Sequence, residues 1–282
     1  HQRWGGFDQT TWFRMKVNVP VSMKGSRVVA LIRPGGESLS YVNGAPFQGL
    51  DENRDELYLT EKAKGGETFE IALEPVPSVR FDLHHEFQYA DIAVMHPLVW
   101  DFYWDCRAAY LAWEQLPQNY APRRKLMELI ASAVLSVDLQ HKNERGYYAS
   151  IAKAQKALKS GLKEFETSYG MGKLTLTGQS HIDTAWLWPL RETRRKCGRT
   201  FSTMLNLLDR YPDFVFLCSQ PVQYEWIKEH YPELFKRIKQ RVKEGRWEPF
   251  GAMWVESDCN VPSGEALVRQ FLYGNRFFRK EF

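Results

Sequence analysis

Three patterns predict a multidomain chain: an N-terminal all-β sandwich, a helical connector, and the opening units of an α/β domain of the (β/α)-barrel kind. Residues 1–87 hold short alternating runs set apart by Gly, Pro and Asn. Residues 88–171 switch to helical periods, and residues 172–282 alternate strand-like with helix-like segments. Alternation of apolar and polar residues marks half-buried strands, whereas apolar residues every third or fourth position mark a helix face.

In the first region, residues 12–19, 27–32 and 38–42 are strand-like, and Asn43-Gly44 after the third is a turn signal. The connector is expected to turn helical from about residue 88, with helices over 99–116, 125–135 and 151–165. His84, His85 and Glu86 precede it, but adjacent histidines on a strand point to opposite faces, which argues against a shared metal there. Beyond Gly170 the spacing predicts strand 173–181, helix 186–210, strand 214–220, helix 221–244, strand 247–255 and helix 263–280. Alternating βα units imply a parallel sheet. Three such units cannot close a barrel.

Sites in parallel sheets form beyond the carboxyl ends of the strands, where His181, Gln220, Glu256 and Asp258 all fall. If the first strand stays extended, His181 and Asp183 share one face at roughly 6–7 Å, close enough to grip one cation. Imidazole and carboxylate suit zinc or a neighbouring first-row divalent ion, although zinc wants about four ligands. A loop hydrogen bond is the ordinary alternative for His-x-Asp at a strand end. Glu256 and Asp258 are candidates for substrate contact, with helix N-capping by Asp258 or Asn260 as the alternative.

The run GQSHIDTAWLWP at 178–189, Gln220, WVESDCN at 254–260 and PSGEALVRQFLYG at 262–274 together resemble glycoside hydrolase family 38, the α-mannosidases, and most closely its cytosolic and vacuolar branch. Gln179 and Ala252 depart from the commoner residues of that pattern. The resemblance implies that His181 and Asp183 coordinate a zinc ion, with cobalt as an alternative, that also touches mannose hydroxyls. It implies that Trp186 lines the sugar pocket and that residues 1–87 form a jelly-roll-like domain. Family members are retaining enzymes, which need a nucleophilic carboxylate and a general acid. Both are expected beyond Phe282, together with further metal ligands, so no residue here is given a catalytic role. The chain is therefore expected to be the N-terminal portion of a longer enzyme and inactive by itself.

The implied function is metal-dependent release of terminal α-D-mannose from oligosaccharides, by a homo-oligomer in the cytoplasm or alternatively in a vacuole or lysosome. Two rivals remain open. A metal-dependent sugar deacetylase would want a His-x-x-x-His pair, which does not occur. A non-catalytic carbohydrate-binding module would use the β region alone.

Composition agrees with a folded protein: 282 residues, 44% hydrophobic and 26% charged, can bury a sizeable core. Aromatic content of 14% suits both cores and sugar sites, which use flat apolar faces with polar edges. The net charge of +4 comes mainly from basic helix-like runs at 236–243, where apolar residues are interleaved, and at 191–196, read as solvated helix faces rather than a nucleic-acid stripe. No window reaches the roughly 18 apolar residues of a membrane span, and the first residues hold no apolar signal core. The absence of an initiator Met leaves a removed targeting segment as an expectation. Cys106, Cys197, Cys218 and Cys259 are far apart and expected to be free thiols. Cys218, inside an apolar run, is expected to behave as a small buried hydrophobe.

Overall fold

Alternation builds a β sandwich at the N-terminus of the computed structural model, which describes residues 2–6, 9–76, 85–166 and 174–282. Its strands are β1 (Gln2–Trp4), β2 (Phe13–Asn18), β3 (Val28–Arg33), β4 (Glu37–Val42), β5 (Ala45–Leu50), β6 (Glu56–Thr60), β7 (Thr68–Val76), β8 (His85–Phe87) and β9 (Tyr89–Val94). One antiparallel sheet runs β2-β7-β4-β5, a second runs β6-β3-β9, and β1 pairs with β8. In β2 the apolar Phe13, Met15 and Val17 turn inward while Arg14, Lys16 and Asn18 stay exposed, as a pleated strand with one wet face requires. Ala30, Ile32, Leu50, Leu57, Ile71 and Leu73 fill the space between the sheets. Asn43 and Gly44 both take positive φ, 51° and 83°, the geometry of the tight turn that joins β4 to β5 without splaying them.

The sandwich reaches further than the expected onset of helix near residue 88. Tyr89–Val94 pairs along the whole of β3, and helix begins only at Pro97, whose ring favours the first helical position. His84 lies outside the described residues. The His85 ring packs against Trp4, with centroids 5.3 Å apart.

The connector is α1 (Pro97–Gln115), α2 (Ala121–Leu135) and α3 (Glu144–Glu166). They pack through Ala109, Leu126, Ile130, Ala133 and Leu158. Next come β10 (Gly178–Gln179), α4 (Leu190–Arg210), β11 (Phe216–Cys218), α5 (Pro221–His230), α6 (Pro232–Lys243), β12 (Trp247–Pro249) and α7 (Gly264–Glu281). The strands form a parallel sheet in the order β10-β11-β12. It is not a closed barrel, and the expected fold class stands.

Element lengths need correction. The strand expected over 173–181 is two residues long, and Leu174 and Leu176 beside it are 82% and 83% exposed. Only β11 pairs with β10 among the described residues, so the alternating run has no second neighbour to extend it. Helix starts at Leu190 rather than 186 because Pro189 sits at its N-cap, and the residue before a proline is pushed out of the helical region. The single helix expected over 221–244 breaks at Tyr231, again ahead of a proline.

Cys197 and Cys218 are buried in the main α/β core, and all four cysteines are free. Burial pushes the Cys218 thiol up to about 12, so it serves as an inert hydrophobe, as expected. No helix among the described residues is long and apolar enough to cross a membrane.

The sandwich clamps α4. The β5 backbone is held directly: Gly49 N–H donates to Thr203 Oγ1 at 2.9 Å, and Asn206 Nδ2 donates to the Phe47 carbonyl at 2.6 Å. Glu37 of β4 accepts from Lys196 Nζ at 2.6 Å and from Arg199 Nη2 at 2.8 Å, and the same Arg199 nitrogen lies 2.6 Å from Glu192 Oε1. Burial works against the charged Glu37, but Arg199 and Lys196 outweigh it and hold its pKa below the ordinary 4.5. A depressed carboxylate stabilises the folded state above the unfolded pKa and loses that contribution as pH falls through the folded value. Acid unfolding below pH 4.5 should therefore be less steep in Glu37→Gln than in the unaltered chain. Equal slopes in urea titrations at several acid pH values would remove Glu37 from the acid response.

Candidate metal and sugar site

Three carboxyl ends of the parallel sheet converge on His181. The loop after β10 carries His181 and Asp183, the end of β11 carries Ser219 and Gln220, and the loop after β12 carries Glu256. His181 Nε2 lies 3.0 Å from Asp183 Oδ1, and its Nδ1 lies 2.7 Å from Glu256 Oε2. Both ring nitrogens thus face carboxylates. The imidazole pKa is raised, first by the bond to Asp183, against partial burial, and further by Glu256.

A second layer fixes Glu256. Ser219 Oγ donates to Glu256 Oε1, and Gln220 Oε1 accepts from the Glu256 backbone N–H at 3.3 Å and from Thr184 Oγ1 at 3.0 Å. Gln220 Nε2 and Gln223 Nε2 each donate to the Ile182 carbonyl at 2.9 Å. Gln220 does this from a left-handed backbone, φ 61°, a conformation that a non-glycine residue holds only when its surroundings over-determine it. On the other side, Trp188 Nε1 donates to Thr193 Oγ1 at 3.1 Å, tying the loop to α4.

A cavity of about 330 Å³ opens beside His181 and Asp183, bounded also by Trp188 and Lys196 and, from the sandwich, by Asp51 and Arg54. Trp186 lies outside this network, 64% exposed and edge-on to Trp188 at 5.4 Å. Asp258 is exposed, and its carboxylate accepts from Asn260 N–H at 2.8 Å. It does not cap α7; Ser263 does, accepting from Ala266 N–H at 3.2 Å. The structure thus brings His181, Asp183 and Glu256 together and leaves Trp186 and Asp258 apart from them.

Two donors of one tetrahedral zinc, each about 2.0–2.2 Å from the ion, stand roughly 3.3 Å apart, so the 3.0 Å between Nε2 and Oδ1 is compatible with a shared cation. Glu256 at Nδ1 matches the outer carboxylate that orients many metal-binding histidines. His181 and Asp183 fit as part of a site, but no group of three or more His, Cys, Asp or Glu among the described residues could hold a metal. Ser219 and Thr184 escape sequence reasoning, although a polar residue directly after the apolar strand 214–218 is a usable signal. Asp51 and Arg54 leave no such signal, because the contact is made by another domain.

Residues 171–282 match the glycosyl hydrolases family 38 N-terminal domain, and residues 1–91 match the α-mannosidase jelly roll domain. Alpha-mannosidase G of Dictyostelium discoideum is 34% identical over 96% of this chain and 26% of its own length. Alpha-mannosidase 2C1 of Homo sapiens is 33% identical over 97% of the chain and 27% of its own length. The Saccharomyces cerevisiae alpha-mannosidase is 41% identical over 49% of the chain and 12% of its own length. Residues 171–282 thus carry a family 38 N-terminal domain, and the chain spans about a quarter of the length of the first two relatives.

Proposed function

We propose that the chain contributes the metal-binding face of a retaining α-mannosidase that releases terminal α-D-mannose from oligosaccharides. The observation that carries this reading is His181 held between Asp183 and Glu256 at the carboxyl ends of a parallel sheet, within a family 38 domain. His181 Nε2 and Asp183 Oδ1 would supply two ligands, and zinc, or cobalt in its place, would supply Lewis-acid coordination of sugar hydroxyls there.

The chain's own residues prepare the site. With its Nδ1 proton donated to Glu256, His181 keeps a lone pair on Nε2. Glu256 is in turn locked by Ser219 and Gln220, so its role is to orient His181 rather than to touch substrate. Trp186 offers an exposed indole to the apolar face of a sugar. Retention needs two carboxylates about 5–5.5 Å apart flanking the glycosidic bond, and neither role is given to Asp183, Glu256 or Asp258.

Elemental analysis of the purified chain beside a version extended over the remaining length of its relatives tests the reading, with hydrolysis of p-nitrophenyl α-mannoside assayed in parallel. Stoichiometric metal in the extended version, lost in His181→Ala together with hydrolysis, is the expected result. Glu256→Ala should keep the fold and bind metal about 10–100-fold more weakly. A folded extended protein that takes up no metal and cleaves nothing would sink the proposal.

A further inference from the structure

A second cavity, of about 530 Å³, lies where α1, α3, α4 and the β6 strand meet. Trp100 and Trp104 form one wall; four residues apart on α1, they lie on one helix face. Their rings meet edge-to-face at 5.6 Å, and Tyr58 of β6 meets Trp100 in the same way at 6.4 Å. Trp104 is nevertheless 44% exposed. The guanidinium of Arg210 lies 3.5 Å from the centre of the Tyr58 ring, so that face is taken, and the indoles provide the open apolar surface.

The rest of the lining is polar and balanced in charge. Glu56, Asp101 and Asp105 stand against Arg54, Lys159 and Arg210. Asp105 Oδ2 is fixed by Lys159 Nζ at 3.2 Å and by Gln155 Nε2 at 3.0 Å. An anionic ligand would want an excess of cations, and a purely apolar one would strand the paired charges away from water. A neutral polyhydroxylated ring satisfies both walls, with its C–H face on indole and its hydroxyls on fixed carboxylates and amines.

We propose that this junction is a second saccharide-binding cleft, taking a neutral hexose oligosaccharide without any metal. Arg54 and Thr203 border both cavities, so the cleft adjoins the His181 cavity, yet it contains none of the candidate ligands. The assignment rests on the chemistry of this lining and does not need the metal reading to hold.

The test is saturation-transfer NMR and calorimetric titration of the chain with mannotriose, maltotriose and cellotriose, all with a chelator present. At least one sugar is expected to bind, with affinity unchanged in His181→Ala and at least about tenfold weaker in Trp104→Ala. Trp104→Phe should recover much of the loss by restoring a flat face. Asp101→Ala, at an exposed position in the lining, should weaken binding several-fold. Absence of binding by the folded chain overturns the proposal. So does binding that ignores Trp104→Ala and Asp101→Ala or vanishes in His181→Ala. Metal content, measured separately, reports on the other site whatever the sugars do.

Discussion

Trp247→Ala should lower stability by about 3–5 kcal/mol, the cost of emptying an aromatic side chain from a close-packed core. Trp247 is 1% exposed and is the residue around which the α/β core is organised. Its ring meets Phe216 at 4.7 Å and Phe201 at 5.1 Å, drawing β11 and α4 onto β12. The loss is more than area. Its indole N–H donates to Tyr224 Oη at 2.9 Å, and that hydroxyl donates to the Cys218 carbonyl at 2.7 Å. Truncation removes the donor from a buried chain of bonds. Trp247→Phe keeps an aromatic ring but loses the N–H and part of the volume, so it should fall between the two. Urea unfolding followed by near-ultraviolet circular dichroism measures all three. An alanine variant within about 1 kcal/mol of the unaltered chain would mean that the core relaxes into the cavity.

Arg199→Ala should be of similar size, about 3–5 kcal/mol, for an electrostatic reason. Arg199 is buried between Glu192, on its own helix, and Glu37 on the sandwich. Burial opposes its charge, but the two carboxylates hold its pKa above the ordinary value. Removing the cation leaves both carboxylates facing each other with less compensation. The double replacement Arg199→Met with Glu192→Leu should cost less than Arg199→Ala alone, because well-packed apolar residues often replace a buried ion pair at little cost. If the double variant proves worse, packing rather than charge governs this contact.

Much of the fold is legible in the sequence where local pattern and tertiary need coincide. Phe13, Met15 and Val17 alternate because one face of β2 is wet, and the pair Asn43-Gly44 fixes a turn. The pattern misleads where a neighbour decides. Leu174 and Leu176 alternate like strand residues, yet the ladder holds only Gly178–Gln179, because hydrogen bonding to a second neighbour is not a property of the segment itself. Val94 belongs to a strand through pairing with Val28, far away in sequence. At the candidate site, His181 and Asp183 are legible as a pair through their spacing. That Glu256 rather than Asp258 reaches the imidazole depends on the course of the loop after β12. The Trp100, Trp104 and Tyr58 cluster needs two domains in place before it exists.

The clamp between α4 and β5 has a consequence for how the sandwich could live alone. β5 is the outer strand of its sheet, and an outer strand presents unpaired N–H and C=O groups to any passing chain. Here Thr203 and Asn206 accept from and donate to those very groups, at Gly49 and Phe47. The helix therefore does for β5 what a neighbouring strand would do, with side chains instead of backbone. A sandwich cut away from α4 would carry an open, adhesive margin, and self-association through β5 is the cost that attachment to the helix avoids.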